Sequence, residues 1–174
     1  MPLSNQVLIV ESSRQTISDI IEEFTLINYK PDFRIALNGG HALLHLKHLH
    51  LDNKIDAINK ILILLNIHTP ISNGFEFLKS YMSDTTMNRE KIEVIVFEDN
   101  LSDHEKEDVE KLGISTFISL PIIKDEHKVI LTNFMGKENG DTSEPRAVVV
   151  SNKTYPNKKN KNKNKGHMRG NNRV

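Results

Sequence analysis

The chain has 174 residues, no cysteine and no tryptophan, and 23 Lys+Arg balanced by 23 Asp+Glu. The length suits one ordinary domain and a tail. The missing cysteine excludes disulfides, thiolate metal sites and a cysteine nucleophile. It agrees with a reducing, cytoplasmic location. No apolar run approaches the roughly 20 residues of a membrane span, and MPLSNQ does not read as a signal peptide.

The neutral total hides two unlike parts. Residues 1–136 carry 13 basic and 20 acidic side chains, whereas residues 137–174 carry 10 and 3. The first part is expected to be the domain. The second ends in NKTYPNKKNKNKNKGHMRGNNRV, which has too little apolar surface to offset ordering entropy and is expected to be a disordered basic tail. A solvated extension is the simpler reading. An arm for nucleic acid, an anionic membrane or an acidic partner is the functional one. Apart from Tyr155 the tail lacks the aromatic residues that stack on single-stranded bases, so no specific nucleic acid is predicted.

The domain alternates between strand and helix patterns. QVLIV (6–10) reads as a buried strand, and Ile17, Ile20, Ile21 and Phe24 recur at helical spacing behind Ser13 as N-cap. FRIAL (33–37) is a second strand, turned by Asn38-Gly39-Gly40 into a helix marked by Ala42, Leu43, Leu46 and Leu49. ILILL (61–65) is apolar throughout and expected to be covered on both faces. Asn73-Gly74 is a turn signal before the helix FEFLKSYM (75–82). IEVIVF (92–97) is a fourth strand. SDHEKEDVEKLG (102–113) is a strongly acidic helix with Ser102 as cap and Gly113 as stop. STFISL (115–120) is a fifth strand ending at Pro121, and 125–134 a fifth helix. Five such units in order predict a flavodoxin-like (βα)5 domain. It is a three-layer α/β/α arrangement around a doubly wound, five-stranded parallel sheet. The loops after strands 1, 3, 4 and 5 are expected to converge on one crevice.

VLIVES, ILILLNIHTPISNGFEFL, IEVIVFE and TFISLPI, in this order and spacing, resemble the CheY-like receiver domain of two-component response regulators over residues 6 to about 135. In that family an aspartate at the end of strand 3 accepts a phosphoryl group. An acidic pair after strand 1 helps to hold Mg²⁺ through oxygen ligands. A Ser/Thr after strand 4 and a Lys before the strand 5 proline contact the phosphate. Carried over residue by residue, the acceptor position is Asn66 and the acidic pair is Glu11-Ser12. Glu98 stands in the Ser/Thr position and Leu120 in the Lys position. An amide has no useful nucleophilicity, Glu98 would repel a phosphoryl group, and Leu120 withdraws the attracting cation. No phosphorylation is therefore expected at Asn66, no catalytic residue is assigned, and Mg²⁺ binding is doubtful. Glu11, Glu98 and Asp99, with the Asn66 carbonyl, remain weak cation ligands. A solvated acidic rim is the preferred reading of them.

Other features favour plain roles. His41, His45 and His48 fall on roughly one helix face, with His50 nearby, and could chelate Zn²⁺ or Ni²⁺. A solvated face is preferred. His68 is expected to be exposed in its loop without a nucleophile to serve. Ser12, Ser13 and Ser72 suit turns and caps. No nucleophile elbow, dinucleotide motif or P-loop is present.

The resemblance implies a degenerate (pseudo-receiver) signalling module, not an enzyme, acting through a protein partner such as a histidine kinase or a downstream regulator. Its output surface would fall within 102–135, whose acidic helix suggests a basic partner or simple solvation; the chain's own basic tail could fold back on it. The alternatives are a phosphorelay receiver with an atypical acceptor, and a nucleic-acid or membrane adaptor working through the tail. The sequence does not fix the oligomeric state.

Overall fold

The computed structural model describes residues 3–97 and 101–122, together with Leu131 and Phe134. The element order is β1 (Ser4–Val10), α1 (Arg14–Leu26), β2 (Asp32–Ala36), α2 (Gly39–Leu51), a single 3-10 turn (Lys54–Ala57), β3 (Ile58–Leu65), α3 (Gly74–Ser83), β4 (Ile92–Phe97), α4 (Asp103–Lys111) and β5 (Phe117–Ile118). The five strands form one sheet in the order β2-β1-β3-β4-β5, and every pairing is parallel. The flavodoxin-like α/β fold expected from the sequence is therefore the observed one.

Each helix starts where a short polar side chain can bind the free N–H groups of the first turn. Ser13 accepts from the Thr16 amide, Asn38 from His41, Asn73 from Glu76 and Ser102 from Glu105. On α4 the Glu105 side chain also reaches back to the Ser102 amide, which closes a capping box. Gly113, at φ 88, ends that helix in a left-handed conformation that costs glycine little.

Alternation along the strands sorts the core into two layers. Leu8, Val10, Ile61, Ile63, Leu65, Val94 and Val96 face α2, α3 and α4, where they meet Ala42, Leu46, Phe77, Leu78, Tyr81 and Val109. Val7, Ile9, Leu62, Leu64, Ile95 and Phe97 face α1, with Ile17, Ile20 and Phe24, and also meet Leu131 and Phe134. Ile61 to Leu65 are buried throughout, as a strand covered on both sides requires. Burying each such side chain is worth about 1.5–3 kcal/mol.

Two expectations need correction. β3 begins at Ile58, three residues earlier than the apolar run implies, because Ile58 pairs with Ser4 across a register shift. β5 is a two-residue pairing rather than 115–120. It is an edge strand followed by Pro121, which has no N–H to donate. The expected fifth helix falls largely outside the described residues; its Leu131 and Phe134 are helical and buried. The expected tail, 137–174, also falls outside them. No helix among the described residues is long and apolar enough to cross a membrane.

Candidate functional site

In a sheet of order 2-1-3-4-5 the chain changes winding direction between β1 and β3, and the crevice beyond their carboxyl ends is the usual binding site. Glu11 leaves β1 there, and Asn66 leaves β3 beside it. Backbone bonds fix both exits: the Glu11 amide donates to the Ala36 carbonyl at 3.0 Å, and the Asn66 amide to the Val10 carbonyl at 3.0 Å.

The side chains then close on one another. Asn66 Nδ2 donates to Glu11 Oε2 at 2.7 Å. Asn66 Oδ1 accepts from the His68 amide at 2.7 Å. Glu11 Oε1 accepts from the Ser12 and Ser13 amides at 2.6 and 2.7 Å. Glu11 is only 4 % exposed, so it is not part of a solvated rim. Its charge is met by three N–H donors, two from the backbone and one from Asn66. Such bonds to a carboxylate make burial affordable. Ser12 is exposed, as a turn residue should be.

The loop after Asn66 is held by its own backbone. The Gly74 amide donates to the Ile67 carbonyl and the Gly39 amide to the Ser72 carbonyl, each at 2.9 Å. Thr69 Oγ1 donates to the same Ser72 carbonyl at 3.0 Å. A β-carbon on Gly39 would lie 2.7 Å from the Asn73 carbonyl oxygen, and one on Gly74 would lie 2.7 Å from Ile67 Cα. Both glycines therefore answer to close packing between α2, α3 and the loop.

His68 is exposed, as expected, yet it has a partner that the sequence reading missed. Its Nε2 lies 2.7 Å from Glu105 Oε1. Glu105 Oε2 meanwhile accepts from Ser102 Oγ at 2.6 Å and from the Ser102 amide at 2.9 Å. Hydrogen bonds from the Ser102 side chain, then from His68, hold the Glu105 carboxyl down to about 2. The Ser102-Asp103-His104-Glu105 spacing already carried half of this arrangement as a capping-box pattern. The half supplied by His68 spans 37 residues and has no local sign.

Glu98 and Asp99 lie outside the described residues, so of the weak cation ligands only Glu11 and Asn66 are placed. Leu120 is half-buried against the core layer on the α1 side, and the Leu120-Pro121 peptide bond is cis. His41, His45 and His48 of α2 do not converge. His45 turns to the sheet edge, where its Nε2 meets Gln6 Oε1 at 2.9 Å while Gln6 Nε2 donates to Asp32 at 3.1 Å. Since the Gln6 amide nitrogen is spent on Asp32, its oxygen accepts from His45 Nε2–H. Burial, and then the Arg34 charge, lower the His45 pKa. His41 and His48 are exposed. His50 Nδ1 is 2.8 Å from the Leu46 carbonyl oxygen, and its Nε2 accepts from the Asn88 amide at 3.0 Å. No group of three His, Cys, Asp or Glu able to hold a metal ion occurs among the described residues.

The fold is the flavodoxin-like fold of CheY-like receiver domains. Solved structures similar to the chain bear that out. A two-component response regulator from Legionella pneumophila is 29% identical with a TM-score of 0.58, over 75% of this chain and 96% of that one. The CheX–CheY–BeF3–Mg²⁺ complex from Borrelia burgdorferi matches at 23% identity and a TM-score of 0.56, over 78% and 92%. The receiver domain of a sensor histidine kinase from Pseudomonas aeruginosa, with magnesium coordinated in its active-site cleft, matches at 15% and 0.57, over 77% and 98%. No protein-family model and no curated protein matches the chain.

Proposed function

We propose that the chain is a phosphorylation-independent receiver, a pseudo-receiver of a two-component pathway that acts in the cytoplasm by binding a protein partner. One observation carries the reading: the Asn66–Glu11 hydrogen bond. In this crevice a nucleophile would need a free carboxylate oxygen, and an amide nitrogen that donates at 2.7 Å stands there instead. The other amide atom, Oδ1, is occupied by the His68 N–H.

The described donors also fit a divalent ion poorly. Mg²⁺ asks for near-octahedral oxygen ligands. Both Glu11 oxygens already accept N–H bonds, and the donor to Oε2 is the Asn66 amide nitrogen. We therefore assign no cofactor and derive no step through a metal. What remains is a fixed surface. The amide closes the crevice without an ion, so the loop and α4 need no phosphate to hold their positions. A histidine kinase or a downstream regulator fits this role as partner.

Incubation with acetyl phosphate and Mg²⁺, followed by intact-mass measurement, tests the proposal. No phosphate adduct is expected. A gain of one phosphate would refute it and favour a relay receiver with an atypical acceptor.

A further inference from the structure

β2 is an open edge of the sheet. Among the described residues it pairs only with β1. The opposite edge, β5, is two residues long, whereas β2 runs for five. An edge strand leaves alternate N–H and C=O groups unpaired and is a template for another strand. Here the outward groups can be assigned. The Ala36 carbonyl accepts from the Glu11 amide, so the backbone groups of Ala36 point to β1. By alternation those of Phe33 and Ile35 point away from it.

The side chains on this edge follow an order. Residues 31–35 read Pro-Asp-Phe-Arg-Ile: apolar, acid, aromatic, base, apolar. Reversed, the stretch keeps its apolar positions and exchanges acid for base. Phe33 packs on the core layer of α1, and Ile35, two residues on, projects to the same side and is 52 % exposed. Asp32 and Arg34 point to the other face, where their side chains are 41 % and 53 % exposed. Among the described residues, every bond that Asp32 receives, from Gln6 Nε2 and from Arg34 Nε and Nη2, ends on Oδ2. Asp32 Oδ1 and Arg34 Nη1 keep their capacity for a second strand.

An antiparallel copy of the same strand satisfies both patterns. With Phe33 opposite the partner's Phe33, the two exchange their outward backbone bonds, and each Ile35 N–H meets the partner's Pro31 carbonyl. Asp32 then stands opposite the partner's Arg34 in a non-hydrogen-bonded pair, where Cα atoms approach to about 4.5 Å. The charges alternate in sign across the pair. Centring the pair on Arg34 instead would set two guanidinium groups face to face, and like charges directly opposite are destabilising. Centring it on Ile35 would set Asp32 against Asn38, which caps α2. Charge therefore selects the register centred on Phe33.

We propose that the chain pairs with a second copy of itself through the β2 edge, as an antiparallel two-fold dimer centred on Phe33. The two sheets become one. Both copies use the same edge, so the pairing closes on itself and does not propagate. The contact makes no use of the crevice and does not depend on the loss of phosphorylation.

Sedimentation velocity of the full chain, from about 10 µM to about 1 mM, tests the proposal. A concentration-dependent monomer–dimer equilibrium is expected. Arg34→Asp sets acid against acid and should weaken the dimer about tenfold or more. Asp32→Arg should do the same by setting base against base. D32R/R34D restores opposite charges and should recover the dimer, although it too lacks the Gln6–Asp32 bond. Ile35→Pro removes an N–H that β1 does not use, and should weaken the dimer while the fold holds. The amide spectrum of each variant shows whether it is folded. A chain that stays monomeric at about 1 mM would overturn the proposal and leave the edge to a strand of another protein. So would a dimer indifferent to Arg34→Asp and Ile35→Pro, or a folded D32R/R34D protein paired as weakly as the single variants.

Discussion

Replacing Asn66 by aspartate exchanges one NH₂ for an oxygen and turns a 2.7 Å hydrogen bond into a carboxylate–carboxylate contact. With Glu11 buried, one of the two must take up a proton or move. Asn66→Asp is expected to cost roughly 3 kcal/mol at neutral pH, read as a lower urea midpoint. The sign of the pH dependence follows from the raised pKa. The folded variant binds more protons than the unfolded chain between the ordinary carboxyl pKa and the raised one, so its stability falls as pH rises through that window. Urea melts near pH 4 should therefore show a smaller deficit than at pH 7. Aspartate alone should not restore phosphorylation; aspartate with Ser12→Asp, Glu98→Thr and Leu120→Lys is the combination expected to regain it, by intact mass. Recovery with Asn66→Asp alone would mean that the other three positions matter less than their chemistry suggests. Ile71 supplies a second test at this scale. Glycine accepts φ 70 without strain, at the expense of a more flexible unfolded chain, so Ile71→Gly should leave stability level or raise it by up to about 1 kcal/mol.

The first turn of α4 is stabilised twice, by its own cap and by His68 from the loop after β3. Ser102→Ala should cost about 1 kcal/mol by loss of the cap. It should also raise the Glu105 pKa from about 2, and by more than His68→Ala does, because the Ser102 hydroxyl is the larger cause. Carboxyl NMR titrations of the three proteins measure this. The wild-type contact is present above the ordinary Glu pKa of 4.5 and is lost as pH falls towards about 2. At the start of α2, Gly39→Ala would press a methyl group onto the Asn73 carbonyl oxygen at 2.7 Å and onto Phe77 Cβ at 2.8 Å. It should lower the thermal midpoint by several degrees, an overpacking penalty of about 1–3 kcal/mol. Gly40→Ala, whose nearest contact is 3.3 Å, is expected to be far milder.

For the molecule as a whole, β3 is the strand on which both core layers rest. Ile63 and Leu64 point to opposite sides and are both fully buried. Truncation of either to alanine should cost about 2–5 kcal/mol, with the denaturant slope unchanged if the sheet still unfolds as one unit.

The parallel α/β class, two of the helix starts and the place of the crevice follow from local patterns; the strand order β2-β1-β3-β4-β5 came from the structure, and so did the finding that Asn38 and Asn73, read as turn residues, also cap their helices. ILILL is apolar throughout, as a strand covered on both faces should be, Ser13 and Ser102 are short polar caps, and the carboxyl ends of parallel strands meet at the winding switch. These features are legible because their periods and spacings span a few residues. That the residue leaving β3 is an amide and not a carboxylate was equally visible, since Asn66 needs no structure to be an amide. What the amide does instead was decided by tertiary structure alone. Its bond to Glu11 joins residues 55 apart, and it converts an expected solvated carboxylate into a buried, satisfied one. The turn of His45 towards Gln6 and the reach of His68 to Glu105 are likewise products of packing. Each depends on which way a side chain faces once two distant segments have met, and no local period encodes that.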